Sequence, residues 1–124
     1  MKNILVIDDD PVIGALLKSF LSLKRYKVEC ITKLEDALSL MKKESFDIVL
    51  TDMKMHGIVG SEIIKKILDI KPSVKLIAMS GDTSFDKLPS HLKAHIPFLP
   101  KPFRLEEVEI LIKKLSSEDD QVLI

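Results

Sequence analysis

The chain has 124 residues, enough for one domain, and 46% of them are hydrophobic, so a sizeable core is available. The 19 Lys and Arg balance the 19 Asp and Glu, and without a basic surplus direct nucleic-acid binding is not expected. One cysteine excludes an internal disulfide, which fits a reducing, cytoplasmic compartment, and no apolar run approaches the roughly 20 residues of a membrane span.

The first predicted strand is ILVI, residues 4–7. It runs straight into Asp8, Asp9 and Asp10 with no cleavage-site pattern, so it does not read as a signal peptide. Over Pro11–Leu23 the residues Ile13, Leu16, Leu17, Phe20 and Leu21 recur at helical spacing. Asp10 is placed as the N-cap of that helix, with Pro11 at its first position. KVECI, residues 27–31, is the second strand, and TKLE, residues 32–35, reads as a capping box before a second helix. DIVLT, residues 47–51, is the third strand and delivers Asp52. A third helix is predicted from about Gly60 to Asp69, ended by Pro72. KLIAM, residues 75–79, is the fourth strand and delivers Ser80 and Gly81.

The next segment, residues 81–95, has weak periodicity and Pro89 inside it, so a loop followed by one or two helical turns is expected. PFL, residues 97–99, is a short fifth strand leading to Lys101 between two prolines. A last helix follows Phe103, with Val108, Leu111, Ile112 and Leu115 on its apolar face. Residues 1–116 read as one domain, and residues 117–124 as a frayed tail or the start of a linker.

The first four strand runs are rich in Ile and Val and nearly continuous rather than alternating, which suits strands buried on both faces of a parallel sheet. The alternation of strands and helices implies an α/β sandwich. In such sheets ligands sit at the carboxyl ends of the strands. Four strands here deliver Asp8, Asp9, Asp52, Ser80 and Lys101 to one rim. Carboxylates and water make an oxygen-rich Mg²⁺ site, and the cation would offset repulsion among the three acids. Asp52 could then serve as a carboxylate nucleophile toward a phosphoryl group, with Lys101 and Ser80 contacting its oxygens.

VIDDDP (6–11), LTDMKMHGIVG (50–60), AMSGD (78–82) and PKPF (100–103) occur in order and with suitable spacing. Together they resemble the motifs of response-regulator receiver domains of two-component signalling, over essentially residues 2–116. The resemblance implies a flavodoxin-like five-stranded parallel sheet in the order 2-1-3-4-5, flanked by helices on both faces, here with a short or irregular fourth helix. It also implies that Asp52 is the phosphoacceptor. Asp9 would be a direct Mg²⁺ ligand and Asp8 would act largely through water. Asp52 and the backbone carbonyl of Lys54 would complete the protein ligands. Ser80 would be the switch hydroxyl, Phe98 the switch aromatic, and Lys101 the lysine of the last motif. The implied partners are a histidine kinase or phosphotransfer protein, and downstream either a protein target or an effector domain absent from this chain. His56 and Val59 depart from the usual pattern, Pro and Asp, in the loop after the acceptor.

Two other functions use similar residues. A phosphatase of the haloacid dehalogenase type also employs a strand-end Asp, a Ser or Thr, a Lys and Mg²⁺. Its general acid, two residues after the nucleophile, is Lys54 here, and its later acidic pair is missing. A docking module that takes no phosphoryl group would have no need of the complete set Asp8, Asp9, Asp52, Ser80 and Lys101. The expectation is therefore a phosphoacceptor signalling domain rather than an enzyme acting on a separate substrate.

Overall fold

The structure, a computed structural model, describes residues 2–122, with side chains as far as Ser116. In chain order it comprises β1 (Asn3–Ile7), α1 (Pro11–Leu23), β2 (Lys27–Ile31), α2 (Leu34–Lys43) and β3 (Ile48–Asp52). A two-stranded hairpin follows, β4 (Lys54–Met55) and β5 (Ile58–Val59), then α3 (Gly60–Ile70) and β6 (Lys75–Ser80). After a 3-10 turn, Phe85–Lys87, come α4 (Ser90–His95), β7 (Phe98–Pro100) and α5 (Leu105–Val122).

The main sheet is parallel throughout, in the order β2-β1-β3-β6-β7. Counting its own five strands, this is the expected order 2-1-3-4-5. The apolar runs are continuous because both faces are covered. On β1, Leu5 and Ile7 enter the core with α2 and α3, alongside Ala37, Ile63 and Ile67. Ile4 and Val6 enter the opposite core with α1 and α5, alongside Leu17, Leu21, Val108 and Ile112. Each such side chain contributes about 1.5–3 kcal/mol when fully buried. The sheet ends are therefore fixed platforms for whatever follows each strand.

Asp10 caps α1 as the sequence predicts, its Oδ1 accepting the Val12 N–H at 2.9 Å. The segment after β6 is also as expected, with six helical residues after Pro89. Three local features differ. The predicted capping box at 32–35 does not form: α2 begins at Leu34, its N-cap is Lys33, and no side chain caps it. Leu34 is buried, and seating it sets the start of the helix. The β4–β5 hairpin was not expected. Its two-residue turn places both His56 (φ 48°) and Gly57 (φ 79°) in the left-handed region, as a turn matched to strand twist requires. The His56 ring donates from Nε2 to the Thr32 carbonyl at 3.3 Å, tying the hairpin to the β2–α2 junction. Finally, α5 continues to Val122 through most of the predicted tail, and Leu123 and Ile124 lie outside the described residues.

Candidate functional site

The acid cluster is built by strand ends. One residue beyond the last β1–β3 partners, Ile7 and Thr51, come Asp8 and Asp52. Asp8 is 2% exposed and both its oxygens are engaged. Oδ1 accepts the Asp10 N–H at 2.9 Å, and Oδ2 accepts from Lys101 Nζ at 2.7 Å. Lys101 also donates to Asp52 Oδ2 at 3.2 Å. The lysine is itself positioned by backbone, its N–H donating to the Ser80 carbonyl at 2.8 Å. Asp9 is exposed beside them. The three consecutive acids thus divide: Asp10 caps a helix, Asp8 is a buried partner of Lys101, and Asp9 faces solvent.

The electrostatics follow from that arrangement. Burial raises the Asp52 pKa; Lys101 opposes this, and the charges of Asp8 and Asp9 add to it. For Lys101, burial alone would lower the pKa, but the hydrogen bond to Asp8 and the charges of Asp52 and Asp8 outweigh it, and the pKa is raised. The cation is shared, and its shorter bond goes to Asp8. Burial therefore works against the charge of Asp52 in spite of the shared lysine.

One oxygen from each of Asp8, Asp9 and Asp52 lies within 4.8 Å of the others. An all-oxygen set with one member open to water fits a Mg²⁺ ion, which keeps several of its own waters. Lys54, on β4 immediately beyond Asp52 and Met53, is exposed. Gly60 closes the far side of this loop: a Cβ there would stand 3.0 Å from Met53 Sδ and 3.1 Å from the Met53 carbonyl oxygen.

Ser80 is 3% exposed at the end of β6. Its hydroxyl donates to Asp82 Oδ1 at 2.8 Å and receives the Asp82 N–H at 3.2 Å. The same Oδ1 accepts the Ser84 N–H at 2.8 Å. Hydrogen bonds to the carboxylate from the Ser84 side chain and N–H, then from the Ser80 hydroxyl, with the charge of Lys54, lower the Asp82 pKa to about 2. Phe98 is half-buried on β7 and stacks on Phe85, ring centroids 4.4 Å apart. It lies on the strand next to that of Ser80, outside the acid cluster. His91 and His95 are exposed on α4.

The structure therefore brings Asp8, Asp9, Asp52 and Lys101 together and sets Ser80 on the neighbouring strand. The role of Asp82 was missed by sequence reasoning. The signal was present in SGD, since an Asp two residues after a Ser can close a side-chain turn.

Comparison with known proteins agrees. The family model described as "Response regulator receiver domain" matches residues 4–113. The chain belongs to the response regulator receiver domain family. This receiver is 29% identical over 114 residues to sporulation initiation phosphotransferase F of Bacillus subtilis, covering 91% of this chain and 92% of that protein. It is 28% identical over 112 residues to the transcriptional regulatory protein MalR of the same organism, covering 88% of this chain but spanning only 48% of that relative's length. Among solved structures it is similar to the response regulator protein TrrA of Thermotoga maritima, determined in complex with Mg²⁺ and a beryllium fluoride. That likeness has 33% identity and a TM-score of 0.80, covering 93% of this chain and 99% of that one. Among the described residues, no helix is long and apolar enough to cross a membrane.

Proposed function

We propose that this receiver accepts a phosphoryl group on Asp52 from the phosphohistidine of a histidine kinase or phosphotransfer protein. The single observation that carries this reading is the Lys101 ammonium between Asp8 and Asp52 at adjoining strand ends, with Asp9 beside them. In the transfer a carboxylate oxygen of Asp52 attacks phosphorus, and the bond from phosphorus to the donor imidazole breaks. The imidazole nitrogen takes up a proton, and Asp52 becomes an acyl phosphate. Loss of the group is attack by water at phosphorus, returning the carboxylate and inorganic phosphate.

Asp8, Asp9, Asp52 and the Lys54 carbonyl would hold a Mg²⁺ ion, which supplies charge neutralisation for the transferring group. Lys101 donates to Asp52 before the reaction and would donate to a phosphoryl oxygen after it. Ser80 would add a hydroxyl donor, and Phe98 would respond on the neighbouring strand. The output is a change of docking surface, read by a protein target or by an effector domain elsewhere in a longer chain. The phosphoreceiver unit is residues 1–116, working in the cytoplasm.

The test is incubation with a small acyl phosphate and Mg²⁺, followed by intact mass. One phosphoryl adduct per chain is expected, absent without divalent cation and absent in Asp52→Asn. Stoichiometric uptake by Asp52→Asn would overturn the assignment. Multiple turnover of a phosphomonoester would point instead to a phosphatase.

A further inference from the structure

The Ser80 hydroxyl has one hydrogen to give, and here it is given. Oγ donates to Asp82 Oδ1 at 2.8 Å, while its lone pair receives the Asp82 N–H at 3.2 Å. The Asp82 carbonyl oxygen is also 3.3 Å away, so both acceptors near this hydroxyl belong to one residue. Asp82 is anchored in turn by the Ser84 N–H. Ser80 itself is nearly fully buried, whereas Asp82 is exposed. Water reaches the acceptor far more readily than the donor.

We propose that Asp82 is a positioning residue that holds the Ser80 hydroxyl in reserve, so that occupation of Asp52 by a phosphoryl group requires the Ser80–Asp82 bond to be exchanged. The proposal rests on the reading of Asp52 as phosphoacceptor. The exchange conserves hydrogen bonds. The Ser80 hydrogen passes from a carboxylate to a phosphoryl oxygen, and Asp82 Oδ1 keeps the Ser84 N–H and gains water. Because Asp82 is exposed, its loss of the hydroxyl is cheap and the hold is weak. It sets the affinity for the phosphorylated geometry without abolishing it. The Asp82 N–H can remain on Ser80 Oγ throughout, since a hydroxyl accepts and donates at once.

The experiment titrates the Mg²⁺-bound protein with beryllium fluoride, a phosphoryl mimic, and follows backbone amide resonances. Asp82→Ala removes the acceptor and is expected to tighten binding about fivefold, the scale of an ordinary net hydrogen bond. Asp82→Asn removes the charge but keeps an acceptor oxygen, and is expected to stay within about twofold of wild type. In a Ser80→Ala background, Asp82→Ala is expected to have no effect, because no hydrogen is left to hold. An equal gain in both backgrounds would show Asp82 acting only as a negative charge near an anion, and would overturn the proposal. So would an unchanged affinity in Asp82→Ala with Ser80 present. If wild type binds no beryllium fluoride with Mg²⁺ present, the phosphoacceptor reading falls and the hold on Ser80 falls with it. Binding by wild type that ignores Asp82 removes the hold alone.

Discussion

The ends of β1 and β3 and the segment after β6 border one site but are built differently. At β1 and β3 the functional groups sit directly on strands buried on both faces. Asp8 has both oxygens engaged, and Lys101 is held by a backbone bond to Ser80. After β6, residues 81–95 are mostly exposed, and short side-chain turns, a 3-10 turn, the six-residue α4, the buried Leu88 and the Phe85–Phe98 stack hold them in place. Rigidity on one side keeps the acids in place for chemistry. Sparse contacts on the other let a small new interaction change the surface, since weakly held segments reorder at little cost.

The largest expected effect breaks the rigid side. Lys101→Ala leaves Asp8 buried without its cation. Removing one partner of a buried pair is costly, and with Lys101 partly solvated the expected loss is about 2 kcal/mol, read by thermal or urea unfolding. Unchanged stability would mean that Asp8 is neutralised some other way.

The opposite sign is expected for Asp52→Asn without metal. The raised Asp52 pKa means the folded state binds that proton more tightly than the unfolded chain. Stability therefore falls as pH rises from the ordinary value of 3.8 through the raised one, and the penalty is complete above it. The variant should be more stable than wild type at pH 7 in a chelator. That gain should vanish in unfolding curves taken below the ordinary carboxylate range. A gain that persists at low pH would assign it to packing.

On the soft side, phosphorylation or the beryllium fluoride mimic should change amide-exchange protection mainly in residues 80–103 and leave residues 12–46 nearly unchanged. A change centred on α1 and α2 would reverse the contrast between the two regions. The smallest effect is expected at Lys54, exposed between them. Lys54→Ala should alter the dephosphorylation rate by about threefold, a surface-charge effect, with uptake still one group per chain. Equal decay of the two phosphorylated proteins would remove Lys54 from the reaction.

Much of this contrast was legible in the residues. Strands such as ILVI and DIVLT are covered on both sides, so their runs are continuous and their ends conspicuous, and acids that close such runs stand out. Asp10 and Pro11 announced α1 because a cap is a local bond. The start of α2 was not legible, because burial of Leu34 outweighed the bond that Thr32 offered. The hairpin was missed because β4 and β5 have two residues each, too few for any period to show. The bond from Ser80 to Asp82 was missed because Ser80 already had a reading as a pocket hydroxyl, while Asp82 fell in a segment expected to start as a loop.

The pairing of β1 with β3 carries a consequence for errors in folding. Asp52 stands beside Asp8, at the lysine they share, only because Ile7 lies opposite Thr51. A slip of one residue would bring Thr51 or Met53 to that place and turn Asp52 to the other face of the sheet. Neither a threonine hydroxyl nor a thioether can replace the carboxylate as acceptor. A chain paired out of step would thus be mute: it could not take up the group at all, and so could not send a false message.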